Sequence, residues 1–395
     1  MTDRDITRRK FAAGAAAATG LALAWRPALA KLAMPTSPVD LNIVDVAGNL
    51  ALTQKAIEAY AAAKTEMVGR VNFTKAPAPE LPGKLKAQQD AGRVDIDLVL
   101  TGTDALSAGI TQGLWITLLP DHEADLPKLQ DIYQPAAWNM QGLAQGQGVV
   151  VTYYPSGPLL EYMPDAVPQP PTTAEELLAW AKANPGRFMY ARPANSGPGR
   201  SILQGMAYIL GDSKPMDPEK GWDKSWEFLK ELGKYVEYYP TGTAITLKEF
   251  AQGQRWMIAG IMEWDMKPRA QSVIPPDSKI TILDKTTFVI DGHYWAIPVG
   301  VPKEQVDVIL DLMKFMRRPD QQALTWPAFI GPSIKAATLD KAPKEIQDQV
   351  KEFWRPEYDQ IGTKWPVKPT LGVSELTYAM DRWDREIGAQ QIKKQ

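Results

Sequence analysis

The chain has 395 residues, 44 basic against 46 acidic, and no cysteine, so disulfides, thiolate metal ligands and iron–sulfur clusters are excluded. That length exceeds a comfortable single core and predicts two domains, while 45% hydrophobic and 23% charged residues describe a soluble globular protein. The near balance of charge argues against nucleic acid or an anionic membrane surface as partner.

Thr7-Arg8-Arg9-Lys10-Phe11 precedes a mildly apolar stretch, Ala12 to Ala24, and Ala28-Leu29-Ala30 has the small-x-small pattern that a signal peptidase needs. The paired arginines resemble a twin-arginine export signal, with an ordinary secretory signal as the alternative. Residues 1–30 are therefore expected to be removed. They carry five basic and two acidic residues, which leaves 39 basic against 44 acidic and a net charge of −5. Without a cysteine for lipid attachment, the mature chain is expected to be free in the periplasm, unanchored and monomeric.

Leu41 to Val46 reads as a buried first strand, and Ala47-Gly48-Asn49 turns it into a helix with Leu52, Ala56, Ala59, Tyr60 and Ala63 on one face. Val71 and Phe73 suggest a second strand, Lys84 to Asp90 a helix, and Val94 to Leu100 a third strand ending in Thr101-Gly102-Thr103-Asp104. Alternating strands and helices mean parallel units, whose ligands gather at the carboxyl ends of the strands. Asn49, Thr101, Thr103 and Asp104 are cleft candidates by that position. A simple capping turn for the helix at 105–109 is the competing reading of the last three.

Gly146 to Pro155 (GQGVVVTYYP) and Phe288 to Pro298 (FVIDGHYWAIP) share one grammar: an apolar strand buried on both faces, aromatic residues, then a proline. Two crossings between lobes would make residues 155–290 a second lobe inserted between 38–150 and 296–395. Tyr154, Asp291 and Trp295 would then emerge at the cleft. In the inserted part, Arg192-Pro193-Ala194-Asn195-Ser196-Gly197-Pro198-Gly199-Arg200-Ser201 leads into a helix. Its glycines, with Arg192, Ser196 and Arg200, suit an anion, although a rigid turn with arginines paired to nearby acids fits the same residues.

After a strand at 256–261 comes Glu263-Trp264-Asp265. In an extended conformation its two carboxylates share a face and the indole takes the other, a pattern suited to an ammonium. Pairing of one acid with Lys267 or Arg269 is the alternative. His122 and His293 are the only histidines, too few for an obvious metal or acid–base site.

The export signal, the glycine turn after the first strand, the two crossings and PKEQVDVILDLMKFMRRPDQQALT (Pro302 to Thr325) together resemble the extracellular solute-binding proteins of bacterial ABC importers. The resemblance implies an α/β, two-lobed type II periplasmic-binding fold with two hinge crossings, no cofactor and no enzymatic activity. It also implies two partners, a small ligand and an ABC permease. The nearest branch is that of polyamine, thiamine, ferric ion and phosphonate binders. Glu263-Trp264-Asp265 stands where ferric binders carry a tyrosine pair, which counts against iron. An amine-bearing ligand is expected, held by Tyr154, Trp264 and Trp295 with Asp265 and Asp291. An anionic or zwitterionic ligand at Arg192, Ser196 and Arg200 is the alternative, and a glycosidase using Glu263 and Asp265 a remote one.

Overall fold

The computed structural model describes residues 32, 35–328 and 331–389. The signal segment expected at residues 1–30 lies outside them. The described strands are β1 (Val39–Asp45), β2 (Val68–Lys75), β3 (Leu98–Gly102), β4 (Val149–Gly157), β5 (Leu159–Tyr162), β6 (Phe188–Met189), β7 (Met257–Gly260), β8 (Lys279–Thr281), β9 (Phe288–Ala296), β10 (Gly331–Pro332) and β11 (Val367–Lys368).

Two sheets form. The larger runs β10-β4-β9-β3-β1-β2 with β11 added beside β9, and the smaller runs β6-β7-β5-β8. β2, β1 and β3 are parallel neighbours, as strands joined by crossover helices must be. β4 and β9 pair antiparallel to each other within the larger sheet. β4 then runs on into β5 of the smaller sheet, and β9 is entered from β8, so these two strands carry the chain between the bodies. Every residue of β9 is buried, which explains the lack of alternation in its apolar ends, Phe288–Ile290 and Tyr294–Ala296.

Each sheet has its own core. Ile43, Leu98, Val150 and Trp295 lie in the first cluster, and Phe188, Tyr190, Leu203 and Leu229 in the second. The capping box at Thr172 to Glu176 forms, with the Glu176 N–H donating to Thr173 Oγ1 at 3.1 Å and the Thr172 N–H to Glu176 Oε2 at 2.8 Å.

Three expectations need correction. Pro155 does not end its strand: β4 continues to Gly157, with a register shift between Pro155 and Gly157 that tolerates the missing N–H. The loop Arg192–Ser201 is largely helical, a single turn at Pro193–Asn195 followed by a helix over Gly197–Ile209. Glu263-Trp264-Asp265 is not extended either, because it opens the helix Met262–Ala270, so its alternation of faces does not apply.

The C-terminal segment, expected with the first lobe, touches both bodies, since the helix Val373–Trp383 packs on the helix Thr103–Thr111 of the larger one. Leu376, Ala379, Met380 and Trp383 of the helix Val373–Trp383 are buried in the smaller sheet's core. Ile346 and Val350 of the helix Lys344–Phe353 pack with Met262, Met266 and Ile280. These short helices bury narrow apolar stripes, and the stripe carries no label for the body it will meet.

Candidate ligand-binding cleft

A cleft of about 380 Å³ opens between the two bodies, within the usual range for small-molecule sites. One wall comes from the larger sheet. β1 ends at Asp45, whose Oδ1 accepts the N–H groups of Ala47 and Asn49, both at 3.0 Å, and whose Oδ2 accepts that of Leu50, also at 3.0 Å. That carboxylate therefore satisfies the first donors of the helix Leu50–Ala63. Gly48, at φ +78°, turns the chain between them. β2 ends beside it at Lys75, which is exposed and lines the cleft.

The opposite wall is built from helix starts. Ser196 Oγ accepts the Gly199 N–H at 3.1 Å, capping the Gly197–Ile209 helix, and lies 2.8 Å from Thr243 Oγ1. Thr243 begins the helix Thr243–Ala251, which has no side-chain cap. Trp264, at the start of Met262–Ala270, reaches across the cleft: its ring is 3.6 Å from where a Cβ on Gly48 would stand. Tyr154 of β4 and Gly292 and His293 of β9 also line the cleft.

Arg200 is the buried charge of this site. Its Nη1 donates to Asp104 Oδ2 at 2.6 Å and to the Pro193 carbonyl at 3.3 Å, and its Nη2 donates to Asp291 Oδ2 at 3.2 Å. Thr103 Oγ1 donates to the other oxygen of Asp291. Burial works against the guanidinium's charge, but Asp104 and Asp291 outweigh it and raise its pKa. Burial likewise pushes the Asp104 carboxyl above its ordinary range, and Arg200 pulls it back only in part. Burial, with one arginine shared between two carboxylates, accounts for both directions. Burial lowers the pKa of His293, against the pull of Asp291 and Asp45, and its Nδ1 lies 3.0 Å from Thr152 Oγ1.

Of the residues singled out from sequence, Asp104, Tyr154, Ser196, Arg200 and Trp264 line this cleft. Thr103 and Asp291 stand just behind it, bonded to each other and, through Asp291, to Arg200. The others lie elsewhere. Trp295 is fully buried and donates its Nε1–H to Asn49 Oδ1 at 2.9 Å, so these two form a core contact. Thr101 is buried, with its hydroxyl on the Gly102 carbonyl. Arg192 turns away to Asp384 at 2.7 Å.

Asp265 is likewise removed from the ligand. It is fully buried and gripped by Arg269, by Arg355 and by the Tyr358 hydroxyl. The arginine hydrogen bonds overcome the cost of burial and hold its carboxyl below the usual range, while burial and the neighbouring Asp265 push Glu161 well above it.

Lys75, Asn195, Thr243 and His293 line the cleft but were not among the sequence candidates. Lys75 had a readable signal, since it ends a parallel strand, the position already used to select Thr101. Thr243 had only a Pro-Thr-Gly-Thr turn to mark it. Among the described residues no group of three or more His, Asp or Glu could hold a metal ion, and no helix is long and apolar enough to cross a membrane.

Residues 55–352 match the family described as bacterial extracellular solute-binding protein. No curated protein matches the sequence at a significant level. Several solved structures share the fold. A putative spermidine/putrescine ABC transporter protein from Listeria monocytogenes aligns with TM-score 0.63 and 15% identity over 90% of this chain and 99% of its own. A periplasmic thiamin binding protein aligns with 0.64 and 14% over 89% and 96%. AfuA from Actinobacillus pleuropneumoniae, solved with fructose-6-phosphate, aligns with 0.62 and 13% over 89% and 99%. At such identities the likeness fixes the fold, a two-lobed periplasmic-binding architecture with β4 and β9 as its crossings, and leaves the ligand open. The family match covers most of the sequence, and the chain belongs to the bacterial extracellular solute-binding proteins.

Proposed function

We propose that this protein captures a small anionic or zwitterionic organic solute between its lobes and presents it to the permease of an ABC importer. The observation that carries this reading is Lys75. It lines the cleft, is exposed, and makes no ion pair among the described residues. The cleft carboxylates are already engaged, Asp45 by three backbone N–H groups and Asp104 by Arg200. An incoming ammonium would meet carboxylates whose oxygens already accept hydrogen bonds, whereas a carboxylate or phosphate would find Lys75 and the start of the Thr243–Ala251 helix. Trp264 and Tyr154 offer ring faces to the carbon skeleton.

The amine-bearing ligand favoured by the Glu263-Trp264-Asp265 motif loses its support, because Asp265 is sealed among arginines. In this reading residues 38–150 and 155–290 are lobes that close on β4 and β9, and residues 1–30 direct the chain to the periplasm. Closure excludes water and so strengthens each charge contact inside the cleft.

The test is thermal unfolding of residues 31–395 against carboxylates and organic phosphates, amino-acid zwitterions, and polyamines with thiamine. A ligand at about 1,000 times its dissociation constant adds roughly 4 kcal/mol, a shift of several degrees. A response among anions or zwitterions supports the reading, and one confined to polyamines and thiamine overturns it.

A further inference from the structure

We infer that Arg200 and Asp104, with Asn195 at the rim, form a latch between the two bodies that governs how firmly the cleft stays shut. This inference is independent of ligand class. Arg200 sits in the Gly197–Ile209 helix, whose Ile202, Leu203 and Met206 belong to the smaller sheet's core. Asp104 sits in the helix Thr103–Thr111, whose Ala105 and Leu106 belong to the larger sheet's core. Their 2.6 Å ion pair therefore ties together two hydrophobic units that must separate for a ligand to enter or leave.

The pair is sheltered, with side-chain exposures of 8% and 7%, so solvent screening weakens it little. Arg200 also holds Asp291 on the crossing strand β9, which fixes the guanidinium in the plane that Asp104 needs. At the rim, the Ala78 N–H of the larger body donates to Asn195 Oδ1 at 3.1 Å, while Asn195 Nδ2 donates to the Thr241 carbonyl at 2.6 Å. These ties use protein atoms alone. The ligand is thus not the sole source of closing free energy, and its escape must break them. Arg200, which the sequence placed on the ligand's anion, is a positioning residue in this scheme.

The absence of native cysteine allows a clean measurement. Spin labels at Gly83→Cys, where nothing lies within 4 Å of the added Cβ, and at exposed Lys248→Cys report the distance between bodies by pulsed electron resonance on the full chain. Asp104→Asn removes the charge while Arg200 keeps Asp291. Asn195→Ala removes the rim tie at a partly exposed site. Each variant is expected to raise the ratio of long to short distances about tenfold, the worth of one charge-assisted or well-formed hydrogen bond. A folded Asp104→Asn chain with the parent's distance distribution overturns the latch. If that variant fails to fold, the same result from Asn195→Ala overturns it.

Discussion

Arg355 grips Asp265 from 90 positions away in the sequence, Nε to Oδ2 at 2.8 Å and Nη2 to Oδ1 at 2.7 Å. The contact pins the segment after the Lys344–Phe353 helix onto the start of Met262–Ala270, the helix that presents Trp264 to the cleft. Asp265 thus supports the site from behind. Asp265→Asn should cost about 3 kcal/mol, because one buried and one largely buried guanidinium lose their main counter-charge. The figure sits at the low end for a broken buried pair, since Arg355 keeps Glu161 at 3.7 Å. Urea unfolding measures it. A variant with the parent's stability but no ligand response would return Asp265 to the binding site.

Lys75 presents the reverse case, a charge with a use for ligand and little for the fold. It is exposed and unpaired among the described residues, so Lys75→Gln should leave the melting temperature within about a degree of the parent. Affinity for an anionic ligand should fall roughly tenfold, the size of one charge-assisted contact, and its salt dependence should weaken. Calorimetric titration at two ionic strengths checks both. Unchanged affinity would place the ligand's anion elsewhere.

What the sequence made readable was set by how local each signal is. The valines of β4 and the apolar ends of β9 announce doubly buried strands without any partner in view, and both formed. Trp295 shows the limit of that signal. When both faces of a strand are buried there is no alternation to say which side chain meets the cleft, and Trp295 turned to Asn49 in the core. Glu263-Trp264-Asp265 reads as extended because it follows a strand, yet the strand stops at Gly260 and the motif opens a helix, which carries Pro268 near its end. Arg355 could not be matched to Asp265 at all, since pairing across 90 residues is a property of the finished fold.

His293 gives the protein an acid-sensitive limb. Burial keeps it neutral below its ordinary pKa, whereas the unfolded chain takes up a proton near pH 6.5. Between the lowered folded value and 6.5 the unfolded state binds more protons, so stability falls as pH drops through that window. The raised carboxyls of Asp104 and Glu161 act in the opposite sense, because protonation favours their folded forms. His293→Gln should therefore lose less stability than the parent between pH 7.5 and 5.5. Parallel melting curves would sink the assignment by showing the same drop in both chains.

Gly48 and Trp264 define the narrow point of the cleft, and one methyl group tests both the backbone and the gap. At φ +78° an alanine is strained, and Gly48→Ala should cost about 1 kcal/mol through the backbone alone. The new Cβ would stand 3.6 Å from the Trp264 ring, ordinary contact that fills the space a flat ligand would use. Affinity should then fall by more than stability does. Trp264→Ala opens the same gap without strain; it should weaken binding by removing the ring face, while its partly buried position limits the loss of stability. Measured together by thermal unfolding and titration, the two variants should both lose affinity from opposite changes in width. If Gly48→Ala binds as the parent does, the ligand does not pass between these residues, and Trp264 serves only the packing with Leu52, Tyr154 and Ile261.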